Sequence, residues 1–473
     1  MFFYGALFLN FLAFFYKSFF VLDPDLGWHL RLGEHILRFG IPKNDPLSYT
    51  MPTYRFIDHE WLTNILLFLI HKHVGFIGLA LFFSIITTTA LFFLFKNKTK
   101  NKEVIYGWFL FLIGSIFLSY VGIRPQVISW FFTAIFISIL RKKGKILLLL
   151  PPLMILWANL HGGFFIGLVL IAIFITGDIV CCKTYKKLLL IFFITFLASF
   201  INPYGHLLWG EVWIQLSDTS LRWKIGEWMP AFLYFDIAYW GYITLSLALI
   251  LKNKKKIYFT DILLYFIFGL AGIMSIRNIP LWIIVSVYPI KKAINLLFDE
   301  IKQFNNEGKR RLKIVLIWLR VILFILIIFQ LTILFLSIDG FSEKIFYPQK
   351  ALEYLKKVSP AGRVFTLYGW GGYYAWRNPD KKVFIDGRMP SWKRNTAPQG
   401  ESRDAIGEYK LIILGKTPPR ELKKKYGVDY ILCSSDIIKK RIFSSPSECG
   451  LLKKSPQLRK IYSDNTATIY AII

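Results

Sequence analysis

The chain has 473 residues and a formal net charge of +29, with 55% hydrophobic, 18% aromatic and 18% charged residues. Its mean hydropathy is +0.48, and the apolar residues come in blocks longer than the core helices of a soluble domain need. Composition therefore excludes a soluble enzyme, a disordered chain and a small disulfide scaffold.

In chain order, residues 1–22 are apolar apart from Lys17, and no small-residue cleavage site follows them. This predicts a retained first span rather than a signal peptide. A long polar segment, 23–73, comes next. Residues 61–70 within it are apolar but short, and read as an interfacial stretch leading into the second span. Further apolar runs lie at 74–95, 104–123, 127–140, 146–160, 164–182, 188–201, 237–251, 257–276, 279–290 and 314–338. A bilayer crossing takes about 20 apolar residues, fewer inside a bundle, so the expectation is about eleven transmembrane helices.

Cations load every second connection: Lys96, Lys98, Lys100 and Lys102; Arg141, Lys142, Lys143 and Lys145; Lys183, Lys186 and Lys187; Lys252 and Lys254 to Lys256; then Lys302, Lys309, Arg310 and Arg311. The alternate connections hold only Arg124, Arg222 with Lys224, and Arg277. By the positive-inside rule the N-terminus is cytoplasmic and everything after residue 338 is extracytoplasmic, in a plasma (inner) membrane. Much of the net charge is thus a topology signal, which argues against nucleic acid as a partner. Four cysteines fix no framework: Cys181 and Cys182 end an apolar run, and Cys433 and Cys449 lie far along the chain.

The first outer loop opens on Asp23-Pro24-Asp25. Behind it, Arg31, Glu34, His35 and Arg38 recur at helical spacing opposite Trp28, Leu32, Ile36 and Phe39. That pattern predicts an amphipathic helix on the outer membrane surface, ended by Gly40 and Pro42. An Asp before a helix is ordinarily an N-cap. However, Asp23, Asp25, His29, His59 and Glu60 gather at the membrane edge of an acid-poor chain, where ionisable groups are costly and generally functional. His59-Glu60-Trp61-Leu62 lacks the second His of a zinc-protease motif.

A long first outer loop, an acid directly after the first span and an outer C-terminal domain together resemble GT-C glycosyltransferases. These include the protein O-mannosyltransferase-like family, family-39-like bacterial membrane proteins and the oligosaccharyltransferase catalytic subunit. In the last, a catalytic Asp opens a helix of pattern D-P-aromatic-aromatic-N-x-R that ends in His-Gly. Asp25, Arg31 and Gly40 reproduce the Asp-to-Arg and Asp-to-Gly spacings, with Trp28 and His29 in the aromatic and polar places. The resemblance implies a GT-C-like transmembrane domain over 1–338, containing the loop 23–73. It also implies a sugar donor on a polyprenyl phosphate and an acceptor glycan, lipid or protein at the outer leaflet.

In that chemistry a carboxylate takes or orients the acceptor's proton and stabilises an oxocarbenium-like transition state. Asp25 is the first candidate and Asp23 the second. The donor phosphate needs a cation, for which the forked guanidinium of Arg277, and after it Arg124, is suited. The alternative role for each is an interfacial anchor. Where the oligosaccharyltransferase has a second, metal-binding acidic motif, this chain has Arg124-Pro125-Gln126. No cofactor is therefore firmly implied. A divalent metal is left open, since Asp23, Asp25, His29, His59 and Glu60 have suitable donor atoms.

Two other outer turns hold candidates: His161, in Asn159-Leu160-His161-Gly162-Gly163, and Glu227, beside Trp228. The tail, 339–473, has ordinary composition. Strand-like runs at 363–367, 382–385, 411–414, 429–433 and 468–473 alternate with helical patterns at 348–358 and 419–426, predicting a small α/β domain. Three glycines among five aromatics at 367–377 predict a turn that exposes rings. Trp370, Gly372 and Tyr373 there correspond to the oligosaccharyltransferase acceptor-recognition turn, with Asp386 and Arg388 following. The resemblance makes these five the acceptor contacts. The leading expectation is a glycosyltransferase acting on a lipid-linked donor; the alternatives are a transporter or flippase of lipid-linked glycans and a non-catalytic membrane scaffold.

Overall fold

The computed structural model describes residues 2–95, 103–233, 237–302, 343–358, 362–435, 449–450 and 452–473, with scattered residues between 310 and 335. Its helices in chain order are α1 (Phe2–Phe20), α2 (Leu26–Phe39), α3 (Trp61–Phe95), α4 (Glu103–Tyr120), α5 (Gln126–Lys142), α6 (Leu150–Leu160) and α7 (Phe165–Val180). There follow α8 (Lys186–Ala198), α9 (Leu207–Ser217), α10 (Leu221–Lys224), α11 (Ile237–Lys252), α12 (Phe259–Met274) and α13 (Ile279–Lys302). Each apolar run up to 279–290 is thus helical at its centre. The last run, 314–338, lies largely outside the described residues, and so do the cationic turn at 96–102 and the domain boundary expected at 338.

Among the described residues, four stretches are long and apolar enough to cross a membrane: Phe2–Phe20, Trp61–Phe95, Gly162–Val180 and Ile276–Leu297. Ile105–Tyr120, Gly144–Leu160 and Phe259–Met274 are apolar but shorter. The protein is a helical membrane protein at this level of description, and eleven crossings exceed what helix length alone gives. α3 breaks at Gly75, whose φ of 69° is open to glycine, and this separates the stretch at 61–70 from the second span. Phe8, Leu9, Leu190, Phe193 and Leu197 stand exposed on α1 and α8, as lipid-facing residues do.

The chain divides into two compact units. The first comprises Met1–Lys17, Ala80–Val212 and Thr219–Phe335. Its tightest pairing is α12 with α13, built around Trp282. The rings of Tyr239, Tyr242 and Tyr265 stand 5.4–5.8 Å from that indole, whose Nε1 donates to the Tyr265 carbonyl. Phe132 stacks on Trp157 to join α5 to α6.

The second unit comprises Ser18–Leu79, Trp213–Asp218 and Leu336–Ile473. The 23–73 loop therefore folds in one unit with the tail. A four-stranded mixed sheet runs in the order β1 (Arg363–Thr366), β2 (Val428–Ser434), β4 (Ala467–Ile472), β3 (Leu458–Ser463). β1 pairs β2 in parallel, and β4 is antiparallel to both its neighbours. The loop joins the tail through main-chain bonds outside the sheet: Tyr49 N donates to Val383 O and Val383 N to Leu47 O, each at 2.9 Å. Tyr49 Oη donates to Val364 O and Thr50 Oγ1 to Phe384 O. Residues 382–385, expected as a strand, contribute to this join as an isolated bridge between Ser48 and Val383.

Three further expectations for this unit are corrected. Residues 411–413 are helical, the end of Ala405–Ile413, and Leu414 is its C-cap. Ile406, Tyr409 and Ile412 are buried at helical spacing, and the Asp404 carboxylate caps the helix from Gly407 N. The aromatic-glycine segment is the helix Tyr368–Arg377 rather than a turn, with Trp370, Gly372, Tyr373 and Tyr374 buried. Lastly, α2 does not lay its apolar stripe on lipid: Trp28, Leu32 and Ile36 are buried in protein, and only Leu37 and Phe39 stay exposed.

Candidate functional site

Asp25 occupies the N-cap position of α2, yet its side chain makes no capping hydrogen bond. The turn is held instead by Asp23, whose Oδ1 accepts from Asp25 N at 2.9 Å and whose carbonyl accepts from Leu26 N. Asp25 directs its carboxylate at Gly387, where a Cβ would lie 2.6 Å from the carboxyl carbon. Only glycine leaves room for the carboxylate there. Gly387 was not singled out from sequence, because nothing in one chain marks a glycine as another residue's seat.

Two further glycines set α2 in place. A Cβ on Gly27 would lie 2.7 Å from Tyr373 N, so α2 and the Tyr368–Arg377 helix touch backbone to backbone. A Cβ on Gly33 would lie 2.6 Å from the carbonyl carbon of Asn64, which brings the start of α3 equally close. His29, one turn before Gly33, consequently reaches Asn64. Asn64 Nδ2 donates to Asp58 Oδ2 at 2.8 Å, so its Oδ1 is the acceptor and His29 Nδ1 the donor, at 2.5 Å. Asp58 Oδ1 accepts from Glu60 N. The free edge of the His29 ring, Nε2, stands 3.7 Å from Glu60 Oε2, and His59 Nε2 stands 3.4 Å from Glu60 Oε1.

This is a buried polar chain: Asp58, Asn64, His29 and Glu60 are all nearly inaccessible. Burial lowers the pKa of His29 below 6.5, against the raising effect of Glu60. Burial also raises Asp58 to about 6. Sequence reading placed His29, His59 and Glu60 in one group, and the structure brings these three together. It missed Asp58 and Asn64, whose only signal was Asn64 lying four residues after Glu60 on a helix. Among the described residues no three His, Cys, Asp or Glu side chains are arranged to share a metal ion.

Asp386 and Arg388 form a clasp. The Arg388 guanidinium holds both oxygens of Asp386 at 2.7–2.9 Å and Asp45 Oδ1 at 2.7 Å, with all three side chains at 3% exposure or less. Tyr373 Oη donates to Glu343, its ring stacks on Tyr347, and Trp370 Nε1 donates to Phe346 O. The side chains of Trp370, Tyr373, Asp386 and Arg388 are buried; Arg388 ties the tail to Asp45 of the loop, whereas Trp370 and Tyr373 bond within the tail.

In the first unit, Arg124, Glu227 and Arg277 come together. Ile276 N donates to Met229 O and Ser275 Oγ to Glu227 O, which ties the 226–229 turn to the 275–277 turn. Arg124 is ion-paired with Glu227. The Arg277 guanidinium lies 5.2 Å from the Trp228 ring, and no carboxylate pairs with it among the described residues. His161 caps the turn after α6: its Nδ1 accepts from Gly163 N at 3.0 Å and meets Ser129 Oγ at 2.6 Å. That is a structural task.

Comparison with known proteins adds no relatives: the sequence matches no protein-family model and no curated protein.

Proposed function

We propose that the protein is a membrane glycosyltransferase that moves a sugar from a polyprenyl-phosphate donor to an acceptor at the extracytoplasmic face, with Asp25 as its base. The observation that carries this reading is the state of Asp25. It stands where an N-cap would, but its carboxylate does no capping and faces a glycine seat instead. In the reaction the carboxylate takes the acceptor hydroxyl's proton as that oxygen bonds to the anomeric carbon. The bond between the anomeric carbon and the donor phosphate breaks, and the polyprenyl phosphate leaves with the electron pair. Arg277 is the cation for that phosphate, since Arg124 already has Glu227 as its partner. Asp23 orients the turn that holds Asp25.

The proposed orientation draws on two supports. A loop and a tail that share one folded unit must lie on the same side of a membrane, as an even number of crossings between them requires. Cys433 and Cys449 form a disulfide, which suits an oxidising compartment for the tail, while Cys181 and Cys182 are exposed thiols in a connection assigned to the cytoplasm.

The test is transfer from a panel of labelled polyprenyl-phosphate sugars by the purified full-length protein. Asp25→Asn is expected to lower turnover by ~10²–10⁴, the usual worth of a general base, while unfolding at the wild-type temperature. Near wild-type turnover removes Asp25 from the mechanism. Movement of labelled lipid across proteoliposomes without transfer would favour a flippase. Absence of both transfer and lipid movement in the wild-type protein would leave a scaffold.

A further inference from the structure

Three connections that are far apart in sequence meet at the lysine-rich end of the first unit. Lys187 Nζ donates to Gly144 O at 3.2 Å, joining the connection before α8 to the one after α5. The Lys183 ammonium stands 5.7 Å from the Tyr258 ring, joining the same connection to the one before α12. α7 and α12 touch at Gly177 and Thr260, where a Cβ on the glycine would lie 2.9 Å from Thr260 Cβ.

Two acids of this region are buried and paired. Lys143 Nζ holds both oxygens of the buried Asp178 at 2.7–2.8 Å. Arg141 pairs with the buried Asp261 and lies over the Tyr288 ring. Cations dominate the surface that remains: Lys142, Lys145, Lys183, Lys186, Lys254 and Lys256 are exposed and have no ion pair to a carboxylate among the described residues, while Glu300, paired with Lys252, and the exposed Asp299 are the acids at the end of α13. Next to them Ile179, Val180 and Tyr258 are 50–63% exposed, an apolar margin beside a cationic patch.

Topology asks only that each inner connection be basic. It does not ask that three of them be tied together, or that the acids be buried beneath. We propose that this cluster is a binding site for an anionic membrane lipid whose headgroup carries two phosphates. The lysines take the phosphates, and Ile179, Val180 and Tyr258 meet the upper acyl chains. Cations on three separate connections offer more than one position for a phosphate, which favours a headgroup with two phosphates over one with a single phosphate. Clustered lysines at a membrane surface attract anionic lipid in proportion to their number. The site is independent of the glycosyltransferase reading, since it uses none of the residues assigned to it.

The experiment uses full-length protein in neutral detergent. It is titrated with diphosphatidylglycerol, with phosphatidylglycerol at matched phosphate, and with phosphatidylcholine, and bound lipid is read by native mass spectrometry. Diphosphatidylglycerol should bind most tightly and phosphatidylcholine should not be retained. The triple variant Lys183→Gln, Lys186→Gln, Lys254→Gln should weaken diphosphatidylglycerol binding on the order of a hundredfold. The triple variant Lys381→Gln, Lys382→Gln, Lys416→Gln, in the tail, should leave it unchanged. Equal affinity for the two anionic lipids at matched phosphate overturns the site, because a diffuse charge effect counts charges alone. Equal loss in the two triple variants overturns it as well. If the first variant does not fold, the comparison of lipids on the wild type still decides.

Discussion

Gly27→Ala is the sharpest test of how α2 is held. In an exposed helix the change would stabilise by about 1 kcal/mol through helix propensity. Here the added methyl would lie 2.7 Å from Tyr373 N, with the Gly372 carbonyl nearer still. Both obstacles are backbone, so no side-chain rotation relieves the contact. The two helices must separate by about 1 Å, which forfeits a quarter to a half of each dispersion contact across the seam. Overpacking of this kind costs about 1–3 kcal/mol. The upper end applies because rigid main chain lies on both sides, so the net loss should be about 2 kcal/mol. Gly241→Ala in α11 has nothing within 4 Å of its Cβ and should be neutral or slightly stabilising. Hydrogen exchange read by mass spectrometry on peptides covering Leu26–Phe39 and Tyr368–Arg377 reports the seam directly. Faster exchange in both peptides for Gly27→Ala, and in neither for Gly241→Ala, is the expected result. Unchanged protection in Gly27→Ala would refute the close approach.

Three other outcomes follow from the same unit and its neighbour. Asp58 has a folded-state pKa of about 6 against an ordinary 3.8, so it favours the folded state at low pH, and that contribution is lost as pH rises from about 4 through about 6. His29, lowered below 6.5 by burial, acts in the opposite sense and withdraws stability as pH falls below 6.5. Infrared titration should show a protonated-carboxyl band that disappears near pH 6 and is missing in Asp58→Asn; a band unchanged in that variant contradicts the assignment. Arg388→Ala leaves Asp386 and Asp45 buried and uncompensated, and should destabilise by about 3–5 kcal/mol in thermal unfolding; a loss under about 1 kcal/mol would show that the clasp is not structural. A membrane-impermeant maleimide should label Cys181 and Cys182 only after permeabilisation, and Cys433 and Cys449 only after reduction, from the outside. Labelling of Cys181 in intact spheroplasts would invert the orientation.

Sequence pattern revealed the helices well, because apolar runs of this length leave the backbone no other way to satisfy its hydrogen bonds in lipid. It also gave both ends of α2: Gly40 does terminate it, with φ at 81°. The face of α2 was misread, since Trp28, Leu32 and Ile36 are apolar whether lipid or protein covers them, and the covering helix starts more than 300 residues later. The same distance hid the role of Arg388. Paired with Asp386 from its own sequence neighbourhood, it looked available; its second partner, Asp45, lies in another part of the chain. His29 and Glu60 were legible as ionisable groups in an acid-poor chain. Asn64, which orients His29, was not, because an amide in an apolar helix carries no charge to notice. At 411–414 a short apolar run resembles a strand by itself, but the buried residues Ile406, Tyr409 and Ile412 keep helical spacing.

The bond from Tyr49 N to Val383 O also sets an order of events during synthesis. Residue 49 leaves the ribosome more than 300 residues before its partner, a wait of roughly 15–70 s at ordinary elongation rates. Throughout that interval Leu47, Tyr49, Met51 and Phe56, all buried in the finished protein, lack the tail residues that cover them. A nascent loop with such a patch is a substrate for holding chaperones on whichever side of the membrane it emerges. A truncation anywhere in the helical region would strand it there permanently. Premature termination should accordingly send even the correctly inserted helices to proteolysis, because the loop that follows α1 marks the whole chain as unfinished.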